Sequence, residues 1–206
     1  MGEPRRTSEL RQVELIDAAL NIVATKGIAA MNTRSLAAAV GLSTGAIFRH
    51  FPSLDALLDA VVGRVEAVLE ATYPPSTLPP VERLAAFVEL RSAAVGLQLG
   101  ILRLVVSDQF FLALPKNGSA RLAGCVEKTR AFVLACIREA QDAGELRTDL
   151  PAEALAPIVM GTVQVLALSP LKSRQREDEA RAVLKSLLAL LSSPTVTHPP
   201  NRERST

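Results

Sequence analysis

The stretch from residue 33 to residue 51 constrains the fold of this chain more than any other part of it. It reads Thr-Arg-Ser-Leu-Ala-Ala-Ala-Val-Gly-Leu-Ser-Thr-Gly-Ala-Ile-Phe-Arg-His-Phe. Gly41 separates two short apolar patterns and tolerates the positive φ that a tight turn between helices requires. Ala37 supplies the small residue that two steeply crossing helices need at their contact. The stretch therefore predicts a helix, a sharp turn and a second short helix.

The side chains of this helix pair divide into a small core and an outer face. Leu36, Val40, Leu42 and Ile47 are expected to fill the space between the two helices. The second helix then carries small and polar residues outward, and such a helix can enter the DNA major groove with its N-terminus toward the base edges. A helical hairpin of no special purpose has the same spacing, so spacing alone leaves both interpretations open. The outward residues are Thr44, Gly45, Arg49 and His50.

Helical periodicity continues along the chain, so we predict an all-α fold. A first helix is expected from an N-cap at Ser8 to Gly27, after a polar arm over residues 1–7. Its expected apolar face consists of Leu10, Val13, Ile16, Leu20 and Val23. Expected N-caps of the next three helices are Thr33, Ser43 and Ser53, with Pro52 ending the third helix. Further helices are expected near residues 81–99, 101–114, 119–143, 151–168 and 177–191, with a turn at residues 115–118.

The motif resembles the tetracycline-repressor (TetR) family of bacterial transcriptional regulators. The resemblance is carried by residues 16–27, by residues 33–41 and above all by Ser-Thr-Gly-Ala-Ile-Phe-Arg-His-Phe-Pro-Ser at 43–53, followed by Leu57 and Leu58. It implies an N-terminal three-helix helix-turn-helix domain and a C-terminal helical domain for ligand binding and dimerisation. The implied DNA contacts are Thr33, Arg34, Ser43, Thr44, Gly45, Phe48, Arg49 and His50, and we expect Arg5 and Arg6 of the arm to reach an adjacent minor groove.

Two departures from the family pattern reduce the expected number of contacts with DNA phosphates. The family usually has Tyr where this chain has Phe48, and Lys where it has Leu54. Residues 1–52 hold six basic and four acidic residues, which leaves a net charge of only +2. We therefore expect few phosphate contacts and a shallow dependence of DNA affinity on salt.

Prolines at 74, 75, 79 and 80 mark the clearest boundary in the chain. We predict a helix-turn-helix DNA-binding domain over residues 1–52, a linking helix over 53–72, a helical dimerisation and ligand-sensing domain over 73–192 and a disordered tail over 193–206. Two apolar helices near its end are implied to form a homodimer interface, although packing within one subunit is an alternative. The interface residues are Leu155, Ile158, Val159, Val163, Leu166, Val183, Leu184, Leu187, Leu188 and Leu191.

Large apolar residues of the second domain are candidates for a pocket that binds a small apolar effector, although a plain core is the alternative. The candidates are Phe87, Leu90, Val105, Phe110, Phe111 and Met160. Polar residues on the same helices are candidate anchors, and the sequence does not choose among Glu89, Arg91, Gln98, Arg103, Asp108 and Gln109.

Other function classes find little support. The two histidines, His50 and His198, have no cysteine or carboxylate at metal-ligand or catalytic spacing, so we expect no enzyme, no cofactor and no metal. A helical protein-interaction module without specific DNA binding remains the alternative. The uncharged run over residues 154–171 is interrupted by prolines, which favours a buried helix over a membrane span. With unpaired Cys125 and Cys136 and no secretory pattern, we expect a cytoplasmic protein.

Overall fold

The computed structural model describes residues 3–97, 101, 105, 114, 116–168 and 173–192. Helices account for all the regular structure in this part of the chain, which confirms the predicted all-α class. The helices are α1 (Glu3–Lys26), α2 (Thr33–Val40), α3 (Thr44–Ile47), α4 (Leu54–Glu70), α5 (Pro80–Leu97), α6 (Lys116–Asp142), α7 (Ala152–Ala167) and α8 (Ser173–Leu191), with a 3-10 turn at Ile28–Ala30. Most of the predicted helix over residues 101–114 and all of the predicted tail lie outside the described residues.

Helix α1 differs from its prediction in where it begins and in which face it buries. It begins at Glu3 rather than after Ser8, so residues 3–7 are helical and not an arm. Leu10 and Val13 were expected in the core but are 58% and 46% exposed. The buried face starts at Leu15, because only the C-terminal part of α1 packs against α2 and α4. That face consists of Leu15, Ala19, Leu20, Ile22 and Val23.

The first hydrophobic core joins the N-terminal helices to the rest of the chain through α4. One side of α4 buries Leu57 and Leu58 beside α1–α3, and the same cluster continues through Val65 and Leu69. Val95 of α5, Leu122 of α6 and Ala167 of α7 belong to that cluster as well. A displacement of α4 would therefore change its packing against both the N-terminal helices and the C-terminal bundle.

Close approach of α6 to α4 corrects another prediction. Residues 116–118 were expected to form a turn, but they are the first residues of α6. Gly118 is buried, and a Cβ built on it would lie 3.5 Å from Cγ2 of Val62 on α4. A Cβ at this position would make only ordinary van der Waals contact with α4, so Gly118 continues the helix and does not break it.

The second core lies among α5, α6, α7 and α8 and contains most of the residues predicted for the dimer interface. Phe87 of α5 and Ile137 of α6 are almost fully buried within it. Seven of the ten predicted interface residues are buried there, and Val183 and Leu188 pack against it half-buried. These side chains hold the helices of one subunit together, whereas Ile158 is 53% exposed. The seven buried residues are Leu155, Val159, Val163, Leu166, Leu184, Leu187 and Leu191.

Candidate nucleic-acid interface

Helix α2 is capped by Asn32 and not by Thr33 as predicted. The Oδ1 atom of Asn32 accepts hydrogen bonds from the backbone N–H groups of Arg34 at 3.1 Å and Ser35 at 3.0 Å. Oγ of Ser35 accepts in return from the backbone N–H of Asn32 at 3.1 Å, which completes a reciprocal capping box. Thr33 is the first helical residue and is half-buried. The start of α2 is thus defined by two side chains that bind each other's backbone.

The turn between α2 and α3 has the conformation that the sequence predicts. Gly41 has φ 67° and ψ 32°, in the left-handed region that favours glycine. The backbone N–H of Leu42 donates to the carbonyl of Ala37 at 3.0 Å and closes the end of α2. Leu36 and Ala37 are buried together with Ile47 of α3. The expected small core between the two helices is therefore present.

Helix α3 is a single turn held at both ends by local hydrogen bonds. Oγ of Ser43 accepts from the backbone N–H of Ala46 at 3.2 Å, so Ser43 is the predicted N-cap. The helix ends at Ile47, earlier than the predicted end near His50. Beyond it, the N–H groups of His50 and Phe51 both donate to the carbonyl of Ile47, at 2.9 and 3.0 Å. The residues after α3 thus form a compact turn instead of a free loop.

The outer face of α3 is open to solvent in the single chain. Phe48 is 46% exposed, and Arg49 beside it is exposed as well. Within the described residues, neither Arg34 nor Arg49 forms an ion pair, so both guanidinium groups remain available for an anion such as phosphate. The predicted contact residues on this face are Arg34, Ser43, Thr44, Gly45, Phe48 and Arg49, all exposed, with Thr33 and His50 half-buried. Side chains of the two remaining predicted contacts, Arg5 and Arg6, lie outside the described residues.

Two polar residues of α1 hold the end of this segment, a contact that the sequence analysis missed. Nε2 of Gln12 donates to the carbonyl oxygen of His50 at 2.9 Å. Oγ of Ser8 lies 3.4 Å from Nδ1 of His50. These contacts fix the orientation of the residues after α3 relative to α1. No local sequence signal identifies them, because the partners are far apart in the chain.

The sequence pattern of the tetR family of bacterial regulatory proteins matches residues 15–61. The match runs from the middle of α1 into α4 and contains the whole helix-turn-helix. Residues 15–61 of this chain therefore form a tetR-family domain.

Relatives of this chain include the nucleoid occlusion factor SlmA of Haemophilus ducreyi, 31% identical over 67 residues. That stretch is 32% of this chain and 33% of SlmA, so the chain spans about a third of the length of the curated relatives that it matches. SlmA of Actinobacillus pleuropneumoniae is also 31% identical over 67 residues, with the same two shares of 32% and 33%.

Solved structures share the fold over nearly the whole chain. The ketosteroid transcriptional regulator KstR2 of Mycobacterium tuberculosis superposes with a TM-score of 0.79 at 19% identity, covering 89% of this chain and 96% of KstR2. A regulatory protein in the tetR family from Rhodococcus gives 0.73 at 20% identity, covering 89% and 97%. AibR, solved in complex with isovaleryl coenzyme A and operator DNA, gives 0.71 at 17% identity, covering 89% and 99%. At these identities the likeness establishes the fold.

A cavity of about 120 Å³ lies among α4, α5, α6 and α7. Of the residues predicted to line a pocket, Phe87, Val105 and Met160 do so. Leu90 does not belong to the lining and is 46% exposed, while Phe110 and Phe111 lie outside the described residues. The sequence analysis missed further lining residues from α4, α6 and α7, because residues far apart in the chain build this cavity. They include Leu69, Cys125, Thr129, Val163 and Gln164.

The six predicted polar anchors differ in their positions relative to the cavity. Arg91 lines the cavity, whereas Glu89 is exposed and absent from the lining. Gln98, Arg103, Asp108 and Gln109 lie outside the described residues. Over the described part of the chain, no group of three or more metal-ligating side chains occurs and no helix is long and apolar enough to cross a membrane.

Proposed function

We propose that this chain is a sequence-specific DNA-binding transcriptional regulator, acting as a homodimer on a palindromic operator, whose repression a small molecule relieves. The observation that carries the proposal is the open face of α3, with Thr44, Gly45 and Arg49 exposed on a firmly held helix-turn-helix. Thr44 is short enough to approach a base edge or a thymine methyl group, and Gly45 lets the DNA backbone come close. Arg49 is placed to bind phosphate or a guanine edge.

Support for a homodimer comes from the outer side of α7. Small and apolar residues recur there at alternating spacings of four and three, the pattern of a helix–helix seam, and all are exposed except the half-buried Gly161. Ile158 and Val165 are 53% and 70% exposed within one chain, and a second copy related by a two-fold axis would cover the stripe with itself. Such a dimer places the two α3 helices about one DNA turn apart, roughly 34 Å. The stripe consists of Ala154, Ile158, Gly161, Val165 and Leu168, and on α8 Leu190 is 70% exposed.

Support for control by a ligand comes from the two ends of α4. Its N-terminal end buries Leu57 and Leu58 beside the helix-turn-helix, and Leu69 near its C-terminal end lines the cavity. A molecule that fills the cavity favours the position of α4 in which the cavity is largest. This shifts the population of orientations of the helix-turn-helix. KstR2 is described as a ketosteroid transcriptional regulator, and AibR, which has a similar fold, was solved in complex with isovaleryl coenzyme A and operator DNA.

The proposed activity is tested by selecting bound duplexes from a random pool with the purified chain. We expect the selected sites to be two-fold symmetric, with half-sites about one helical turn apart. Arg49→Ala should weaken binding or relax the base preference without unfolding the chain, because its side chain is exposed. Arg130→Ala is the matched control, since Arg130 is an exposed arginine on α6, far from α3 in the fold.

Salt dependence separates this proposal from the alternative of a protein-interaction module. A regulator loses DNA affinity as salt rises, and Arg49→Ala should reduce the slope by about one if its guanidinium meets a phosphate. A chain that selects no duplex sequence at any salt concentration would rule out the proposed function. Consistent with the family and fold, which are those of transcriptional regulators, we assign no enzymatic activity and propose a cytoplasmic location.

A further inference from the structure

Three aromatic rings and one arginine form a cluster beside the cavity. Tyr73, Phe87 and Phe132 contact one another, with ring centroids 5.1 to 5.9 Å apart. The Cζ atom of Arg91 lies 5.0 Å from the centroids of both Tyr73 and Phe87. The chain has only six Phe and one Tyr, so this cluster uses almost half of its aromatic residues. The rings hold the guanidinium by cation–π contact.

Among the described residues, no acidic side chain pairs with the buried guanidinium of Arg91. Arg91 is 4% exposed, and its Nε and Nη2 atoms have no hydrogen-bond partner among the described residues. None of the ion pairs in the described part of the chain includes Arg91. Burial lowers the pKa of Arg91, and the Tyr73 hydroxyl offsets part of that effect. A buried, unpaired cation is unfavourable unless something else supplies the missing charge.

The two unpaired atoms form one edge of the guanidinium plane. Nε and Nη2 carry parallel N–H bonds on the same side, and this edge matches the two oxygens of a carboxylate. The geometry therefore requires a group with two acceptor oxygens rather than a single carbonyl or hydroxyl. Arg91 is also part of the cavity wall, which brings the unpaired edge and the empty space together.

The rest of the cavity wall is mainly apolar. Phe87, Val95, Ile101, Met160 and Val163 line it, as a ligand body without polar groups requires. Thr129 lies in the wall too, but its hydroxyl already donates to the carbonyl of Cys125 at 2.9 Å and contacts the Tyr73 hydroxyl at 3.0 Å. The space of about 120 Å³ is somewhat smaller than the roughly 150 Å³ that a benzene-binding cavity needs, so it holds about four to six carbon atoms.

We propose that Arg91 binds the carboxylate of a small amphipathic acid whose apolar body of about four to six carbon atoms fills this cavity. The acid is then the effector of the proposed regulator, and only that consequence rests on the proposed function. The charge of the acid replaces the missing partner of Arg91, while Leu69 carries the presence of the ligand to α4.

Direct binding tests the proposal without DNA. Sodium hexanoate, 1-hexanol and hexyl phosphate are titrated into the full chain by calorimetry and by tyrosine emission, which reports on Tyr73 alone because the chain has one Tyr and no Trp. We expect hexanoate to bind, hexanol to bind at least about tenfold more weakly, and decanoate to bind more weakly than hexanoate because it exceeds the cavity. Equal binding of hexanol and hexanoate, or tighter binding of hexyl phosphate, would overturn the assignment of a carboxylate.

Substitution of Arg91 distinguishes a ligand anchor from a structural arginine. Arg91→Met keeps an unbranched apolar stem and removes the unpaired charge, so the ligand-free variant should melt no lower than the parent. It should lose hexanoate affinity by more than about tenfold, and Arg91→Lys should not restore it fully because lysine lacks the paired N–H edge. Arg130→Met, on the exposed face of α6, is the matched control and should bind hexanoate as the parent does.

Asp108 is the rival anion from the chain itself, and it lies outside the described residues. If Asp108 is the partner of Arg91, Asp108→Asn and Arg91→Met each lower the melting temperature, and the double variant loses no more than one of them. That result would overturn the proposal, whereas independent effects support it. If the chain binds hexanoate but selects no DNA site, only the proposed function is wrong. If it binds DNA but does not bind hexanoate, only this inference is wrong.

Discussion

Arg121 on α6 holds Glu66 on α4 through two parallel hydrogen bonds. Its Nε atom donates to Oε1 of Glu66 at 2.9 Å, and Nη2 donates to Oε2. Nη1 of the same guanidinium donates to Asp59, about two turns earlier on α4, at 2.6 Å. Lys128 and Glu70 form a further pair between the same two helices at 2.6 Å. Ion pairs as well as apolar packing thus hold α4 against the C-terminal bundle.

We predict that Arg121→Ala lowers the free energy of unfolding by about 1 kcal/mol, because a bidentate pair is lost but both side chains are about 30% exposed. Urea unfolding measures the change. Arg130→Ala should have almost no effect, since its contact with Glu127 is at 3.9 Å and exposed. If both variants lose the same free energy of unfolding, the Arg121–Glu66 pair does not stabilise the fold more than an exposed contact does.

The same pair predicts a pH dependence. The hydrogen bond and charge of Arg121 lower the pKa of Glu66 from its ordinary value of 4.5. The pair therefore stabilises the fold above pH 4.5, and this contribution disappears as pH falls through the lowered pKa. The difference in unfolding free energy between the parent and Arg121→Ala should shrink as urea titrations move below pH 4.5. A difference that stays constant down to the lowest pH at which both chains fold would contradict this origin.

Gly41 and Gly45 should respond to alanine in opposite ways. A Cβ at either position meets nothing within 4 Å, so the outcome depends on backbone conformation alone. Gly41→Ala should destabilise the chain by about 1–2 kcal/mol, because φ is 67° there. Gly45→Ala should stabilise it by up to about 1 kcal/mol, since Gly45 is helical.

DNA affinity gives the second readout for this pair. Gly45→Ala adds a methyl group to the exposed face of α3 and should weaken DNA binding although the fold becomes more stable. Unchanged DNA affinity in Gly45→Ala would mean that the duplex does not approach α3 at this residue. Thermal melting and titration of a selected duplex measure the two quantities separately.

Local patterns predicted the helix-turn-helix well because its determinants are local. Gly41, Ser43 and the buried Leu36 act within a few residues of their own positions. Long-range packing determines the features that were missed. The sequence offered six anchors for the pocket. Arg91 is distinguished by its burial in the cavity wall and by its contact with Tyr73, which lies on another element.

Helix α7 shows the same limit in its dimer face. It is apolar on nearly all sides, so periodicity cannot tell which stripe its own subunit covers. Val159 and Val163 were predicted at the interface but are buried in the subunit core, while Val165, which the sequence analysis left out, is 70% exposed. The assignment needs the positions of α5, α6 and α8, and these do not follow from α7 alone.

Phe48→Tyr should strengthen DNA binding. Phe48 is 46% exposed on the face of α3, so a hydroxyl group added to its ring reaches solvent without disturbing the core. The hydroxyl can donate to a phosphate oxygen, a contact that the phenyl ring cannot make. We expect affinity for a selected duplex to rise severalfold, equivalent to about 1 kcal/mol, with no change in melting temperature. Weaker binding by the variant would place the ring in an apolar contact and not beside phosphate.

The exposed stripe of α7 leads to a prediction about oligomeric state. Val165→Glu places a charge within the stripe, where two-fold pairing would bury one such charge from each copy. The variant should sediment as a monomer at concentrations where the parent is a dimer, while helix content stays the same because residue 165 is solvent-exposed in the subunit. Ala135→Glu, at an exposed position of α6, is the control and should remain dimeric. Because a monomer meets one half-site only, Val165→Glu should also lose most of its affinity for a symmetric duplex and keep the weaker affinity for a single half-site. A dimeric Val165→Glu would move the interface away from α7.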